Sequence, residues 1–316
     1  MGKHYRIAII GLGSIGRRHL KNMVNVLTER GATFSIDIIR SNKGKELESD
    51  ISPMINQIYY SHKLVPSNYD VIFITNPTHQ HYQTIQIYAD KTKHMFIEKP
   101  VFDQPHMNVD SLGLKRDHIY YVACPLRYSE IIQYLKENLD IEHVYSARVI
   151  CSSYLPDWRP DVDYRKIYSA HKDQGGGVAL DMIHEWDYLC YLFGYPKKVL
   201  NIKGKFSNLE INSEDISLYI AEYSKMTTEV HLDYFGRHPL REIQIFMEDE
   251  VIIGDFIKNE LRFLKKDTVH KFKQQTNDIY HKEMDHFFDM IENKATNFNN
   301  VTDAVNTLRV VNGVVE

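Results

Sequence analysis

Cysteine is scarce. Cys124, Cys151 and Cys190 are the only three in 316 residues, and they are far apart with no CxxC pair. No disulfide framework and no thiolate zinc or redox motif is therefore expected, which fits reduced thiols in a cytoplasm. Long apolar runs are missing too. No window reaches the roughly 20 residues of a membrane span. The apolar run in MGKHYRIAIIGLG is too brief for a signal peptide, and Arg6 spoils the myristoylation pattern that Gly2 suggests. Charge of one sign is lacking as well: 38 Lys plus Arg against 42 Asp plus Glu leaves -4, a field too weak to gather nucleic acid or an anionic membrane. With 43% hydrophobic and 25% charged residues and no low-complexity tract, the chain reads as globular, and its length suits two domains. The expectation is a cytoplasmic protein whose partner is a small molecule, with neither nucleic acid nor membrane.

What is present begins with YRIAIIGLGSIGRRHL. A buried-strand pattern over 7–10 passes into Gly11, Gly13 and Gly16, which fit GxGxxG, and a helical segment follows over 17–28. Gly11 makes the tight turn, Gly13 lets the backbone approach a pyrophosphate, and Gly16 lets helix and strand pack closely. Exposed amides at the helix start, around Ser14 and Ile15, favour phosphate. The next strand, FSIDIIRSN, ends in Arg40 where an NAD enzyme usually presents an acidic side chain; Ser41, Asn42 and Lys43 follow. A cation beside a hydroxyl suits a 2'-phosphate, so NADP is favoured over NAD, the alternative being a solvated strand-end charge. Asp37 should point into or across the sheet and makes a poor ribose ligand.

Two further apolar strands, DVIFITNPTHQH and KHMFIEKP, end in polar residues where open parallel sheets bind ligands. Asn76, Pro77, His79, His81, Glu98 and Lys99 gather at that rim, and all but His79 are candidate cofactor contacts. His79 and His81 read as loop histidines, and no metal is expected. In the second half, alternating segments over 143–152, 199–206, 216–223, 228–235, 242–247 and 250–256 predict an antiparallel sheet with one covered face. A helix over 129–138 precedes them, and two amphipathic helices close the chain. GGGVALDMIHEWDYL, residues 175–189, sets three glycines before a helical stretch crowded with Asp181, His184, Glu185 and Asp187.

Taken in order, GLGSIGRRH, NPTHQH, EKP, PLRY, DWRP, GGGVALDMIHEWDYL and YHKEMDHFFDMI resemble the glucose-fructose oxidoreductase, inositol dehydrogenase and MocA-like family. The resemblance implies an α/β chain: an N-terminal Rossmann domain with a doubly wound parallel sheet, and a C-terminal α+β domain with an open, mostly antiparallel sheet. The boundary is set near Val122, giving domains 1–122 and 123–316. It further implies an NADP- or NAD-dependent oxidoreductase acting on a sugar, sugar nucleotide or polyol, assembled as a homodimer or homotetramer. Lys99 matches the family lysine and would hold the substrate oxygen; His184 matches the family histidine and would be general acid/base, the two meeting around one reactive atom.

The family carboxylate four residues before that histidine is Leu180 here. Asp181, three before, would share a helical face with His184 and orient it, with Asp187 as the competing partner. Trp158 and Arg159 match a position that touches cofactor or substrate. Arg127, Tyr154, Tyr164, Arg165, Tyr168 and Tyr280 complete the substrate candidates. The glycines would let the backbone pass close under nicotinamide and substrate. Two other readings stand beside this one: a non-catalytic dinucleotide-sensing regulator or scaffold, and an NAD-assisted glycoside hydrolase.

Overall fold

A computed structural model describes residues 3–41 and 47–315, so Asn42 and Lys43 lie outside the described residues. The chain divides into two compact units, Met1–Ala123 with Asn277–Val305, and Cys124–Thr276 with Asn306–Glu316. Among the described residues no helix is long and apolar enough to cross a membrane.

The first unit is built on six strands: β1 (His4–Ile10), β2 (Thr33–Ile39), β3 (Gln57–Tyr59), β4 (Tyr69–Ile74), β5 (Thr92–Ile97) and β6 (Tyr120–Val122). All pair in parallel, in the order β3-β2-β1-β4-β5-β6. Ile7, Ile9, Val71, Phe73, Met95 and Ile97 are fully buried, as continuous apolar runs must be when both faces of a sheet are covered. Helices α1 (Ser14–Glu29) and α2 (His81–Tyr88) start at the carboxyl ends of β1 and β4 and provide part of that cover.

The second unit opens with α3 (Glu130–Asn138) and β7 (Val144–Tyr154). The glycine run then leads into α4 (Val178–Asp181) and α5 (His184–Phe193), and the remaining strands are β8 (Lys198–Gly204), β9 (Ile216–Glu222), β10 (Thr227–Asp233), β11 (Phe235–Met247), β12 (Val251–Asp255), β13 (Glu260–Phe263) and β14 (Thr268–Lys271). Their order is β14-β13-β12-β11-β7-β10-β9-β8, antiparallel throughout except for β7 with β10. The pleat separates the faces. Val149, Val230, Tyr219 and Ile243 are buried in one row, and Trp186 of α5 meets Tyr219 edge-on at 5.2 Å. Leu200, Ile202 and Ile220 point to the opposite, open face. Strands β13 and β14 are too short and polar to show an alternation, which is why the sequence pattern passes over them.

The chain then returns to the first unit with α6 (Asp278–Ile291), while α7 (Val301–Val311) carries the last boundary between units. Placing all of 123–316 in one domain is therefore corrected for 277–305. The apolar stripe of α6 faces the parallel sheet: Phe287 packs on Phe96 at 5.2 Å and Phe288 on Tyr5 at 5.3 Å. Arg30, just beyond α1, binds Asp285 (2.9 Å) and Asp289 (2.8 Å) on the same helix. An amphipathic stripe requires some apolar cover without specifying which sheet provides it.

Candidate active site

At the carboxyl end of β1 the glycines divide their work. Gly11 has φ +87°, and a Cβ there would come within 2.8 Å of the Asn76 backbone. A Cβ on Gly16 would overlap the Gly11 carbonyl oxygen, which already accepts from Thr75 Oγ1 at 2.5 Å. A Cβ on Gly13 would meet nothing within 4 Å. Two of the glycines allow close packing, and the third leaves open space at the start of α1. That space joins a cavity of about 540 Å³ whose lining includes Gly11, Gly13, Arg40, Ser41, Asn76 and Pro77.

The donor set fits a dinucleotide: the amides of Gly13, Ser14 and Ile15 would hold a pyrophosphate, and Arg40 and Ser41 the ribose end. Asp37 is indeed turned inward, accepting from Tyr69 Oη (2.7 Å) and Asn56 Nδ2 (2.8 Å). Tyr60 and His62, also on the wall, were missed, because they follow a strand of three residues that leaves no sequence pattern.

At the end of β5, two buried histidines brace the segment that carries Lys99. His19 of α1 is wholly buried and hydrogen-bonds the Glu98 carboxylate, whose other oxygen accepts from Lys99 N–H at 3.1 Å. Burial alone would raise the Glu98 carboxyl, but His19, Lys99 and His81 hold it below its ordinary value. On the far side of Lys99, His81 Nδ1 faces the carbonyls of Pro100 (3.1 Å) and Val101 (3.2 Å), while its Nε2 faces that of Asn76 (2.9 Å). Burial holds the His81 imidazole below its ordinary pKa, so its single N–H donates to one of these two sides, and the ring packs between the Lys99 segment and the cavity wall. Glu98 and His81, expected as cofactor contacts, are buried, and the bonds just named hold them within the first unit. The clue to His19 lay in its position on the apolar face of α1, beside Leu20 and Met23. Tyr280 of α6 belongs to this unit too, under the Arg18 guanidinium at 4.6 Å and edge-on to His19 at 6.2 Å.

In the second unit, His184 opens α5 and is half-buried. Asp181 closes α4, and Met182, at φ -97° and ψ 29°, interrupts the helix between them. The Asp181 carboxylate accepts from Tyr168 Oη (2.6 Å) and Tyr234 Oη (2.5 Å), and burial together with that charge pushes both phenols well up.

Asp187, the competing partner expected for His184, is engaged by Arg127. Both of its oxygens are taken by Arg127, at 3.0 and 2.8 Å. That removes Arg127 from the substrate candidates as well, since it is 3% exposed and its guanidinium is committed to this pair. Arg165 is exposed, bound to Asp163 (2.8 Å) and Glu210 (3.1 Å), and Tyr164 Oη accepts from Glu210 N–H at 3.2 Å; together they pin a turn.

The glycine run has a different reason from the one expected. A side chain on Gly176 would strike the Tyr168, Ser169 and His171 carbonyls, and one on Gly177 (φ +131°) would strike the Glu214 carboxyl. The run packs against its own unit. Glu214, which burial pushes up in pKa, was missed because it belongs to a polar loop with no motif.

With this geometry in place, the similarities to known proteins can be read. Residues 5–114 match the family described as the oxidoreductase family, NAD-binding Rossmann fold. Myo-inositol 2-dehydrogenase of Thermotoga maritima is 26% identical over 195 residues, 60% of this chain and 55% of that protein. The chain spans between 55% and 62% of the lengths of the curated relatives it matches. Levoglucosan dehydrogenase in complex with NADH and levoglucosan shares the fold at TM-score 0.81 and 15% identity, covering 99% of this chain and 96% of that one. UDP-N-acetylglucosamine 3-dehydrogenase from Acidithiobacillus ferrooxidans does so at TM-score 0.77 and 18% identity, covering 98% and 96%.

Gly13→Val is expected to melt like the parent, because a Cβ at this position has no atom within 4 Å, yet to lose NADH affinity by about tenfold or more. Gly16→Ala should instead lower the melting temperature through its clash with Gly11. Unchanged NADH titration of Gly13→Val would remove Gly13 from the cofactor cradle.

Proposed function

We propose, from a chain whose residues 5–114 belong to the Gfo/Idh/MocA oxidoreductase family, that the protein moves a hydride between a nicotinamide and a carbinol or carbonyl carbon of a sugar, sugar nucleotide or polyol. The observation that carries this reading is the open cradle at Gly13, whose wall and the segment bearing Lys99 pack on opposite edges of the buried His81 ring. A nicotinamide coenzyme, when bound, supplies the hydride acceptor or donor. The chain's own part is acid–base and electrostatic. Lys99 holds the substrate oxygen and stabilises its developing negative charge, and His184 takes the hydroxyl proton during oxidation or returns it during reduction. Asp181 fixes the two phenols that surround it, and the half-buried imidazole of His184 follows three residues later. Tyr154, Trp158, Arg159 and Tyr168 contribute to substrate binding. The relatives named as dehydrogenases of inositol, levoglucosan and a UDP-linked sugar support a carbohydrate hydroxyl as the reacting group.

The coenzyme we favour is NADP. Arg40 and Ser41 line the cavity while Asp37 is turned inward, so the ribose end meets a cation and a hydroxyl with no acidic competitor among these three residues. The exposed Leu200, Ile202 and Ile220 on the open sheet face support assembly as a homodimer or homotetramer, and three buried free thiols support a cytoplasmic setting.

Nicotinamide absorbance recorded with equal NADPH and NADH, against keto-sugars, nucleotide-linked keto-sugars and keto-inositols, tests the reading. Turnover with NADPH preferred is expected, and Arg40→Ala should erase the preference. Preference for NADH would overturn the Arg40 assignment. Coenzyme that binds without turning over any member would favour a dinucleotide sensor, and coenzyme that reduces once and never exchanges would favour glycoside cleavage.

A further inference from the structure

The second unit carries an aromatic and cationic surface at the carboxyl end of β7, which includes Tyr154, Trp158, Arg159 and Tyr168 and whose ligand chemistry the proposed reading leaves open. Strand β11 pairs with β7 at Phe235↔Tyr154 and again at Leu240↔Ser152, and the irregularity between them displaces residues 236–239 from the ladder. Bulges of this kind re-aim side chains, and here they turn Arg237 and His238 outward as exposed residues. The base of the bulge is fixed: Asp233 Oδ1 accepts from Phe235 N–H (3.0 Å) and Gly236 N–H (2.7 Å). Arg237 lies over the Tyr154 ring with its guanidinium carbon 3.7 Å from the centroid.

Trp158 is anchored nearby by Ser153 Oγ at 2.9 Å and stands edge-on to Tyr234 at 5.3 Å, and Tyr234 shares Asp181 with Tyr168. Trp158 and Tyr168 are 39% and 43% exposed. Arg159 follows Trp158 and carries a positive charge that bears on the Tyr168 hydroxyl. Among the described residues neither Arg159 nor Arg237 has a carboxylate partner. A guanidinium stacked on an aromatic ring keeps its charge and its edge donors and loses little freedom on binding, which suits a forked anion.

We propose that this surface is an anion subsite for the substrate: Arg237 on Tyr154, with Arg159, binds anionic oxygens covalently attached to the sugar, while Trp158 and Tyr168 offer apolar faces to the ring. The inference rests on the dehydrogenase reading and narrows its substrate to an anionic sugar, excluding a neutral polyol. Two sources share this chemistry, the diphosphate of a nucleotide-linked sugar and the carboxylate of a sugar acid.

Trp158 is the exposed one of two tryptophans, Trp186 being fully buried, so fluorescence quenching reports on this surface. The full chain is titrated with UDP, with glucuronate, and with myo-inositol as the neutral control. UDP or glucuronate should quench with an affinity that falls as salt rises, and myo-inositol should do so only weakly. Arg237→Gln is expected to weaken the anion at least tenfold, Arg237→Lys to restore part of that, and Arg159→Gln to add a further loss. A UDP response locates a diphosphate, a glucuronate response a carboxylate.

Equal affinity for all three probes, or anion affinity untouched in the Arg237→Gln, Arg159→Gln double variant, overturns the subsite. NADH binding and turnover are followed in the same samples. Anion binding that depends on Arg237 without any turnover would count against the dehydrogenase alone, and efficient turnover of a neutral sugar by the double variant against the subsite alone.

Discussion

The arrangement around Lys99 depends on buried imidazoles placed before and after it. His19 reaches from α1 to the Glu98 carboxylate, which in turn caps the Lys99 amide, and His81 reaches from α2 to the carbonyls just beyond. The His19 bond gives the buried Glu98 carboxylate a partner, and a buried group left unpaired would cost about 1–3 kcal/mol. The lysine stem can move, but the backbone from which it projects is held. The same His81 ring lies against the Asn76 carbonyl, so cavity wall and lysine segment pack on one buried side chain. Rigid support of this kind is what positioning a reacting group requires.

The second unit answers a different constraint. It buries Asp181, Glu185 and Asp187 within seven residues, and each needs a partner of its own. Asp187 takes Arg127, Glu185 takes Arg241 at 2.6 Å, and Asp181 takes two phenols. The helical path of this stretch is interrupted at Met182, between Asp181 and His184. His184 is the ionisable residue of this stretch that stays half-buried, and its position at the start of α5 follows from that break.

Much of this was legible in the sequence wherever a local rule fixed the outcome. GxGxxG and the end of the next strand placed Gly11, Gly13, Arg40 and Ser41 around one cavity, because turn geometry and strand direction are decided within a few residues. Alternation revealed the antiparallel sheet for the same reason. What the sequence did not disclose depends on distant partners. Glu98 and His81 looked like ligand contacts at a strand end, yet their partners are His19, Pro100, Val101 and Asn76. Arg127 and Asp187 each looked available and turned out to bind one another across 60 positions. The glycines at 176 and 177 promised room for a ligand, and the room is filled by carbonyls and by Glu214. The helix over 278–291 showed a clear apolar stripe but not the sheet it would cover.

The account's central claim is that Lys99 and His184, which belong to different units, serve one reaction. A double-mutant cycle on kcat/KM with Lys99→Met and His184→Asn, measured at saturating coenzyme on the best carbohydrate found, tests it most directly. Each single change should cost roughly 10²–10⁴-fold, and the double variant should be little slower than the worse single. Losses that multiply, or either single variant turning over like the parent, would contradict the claim.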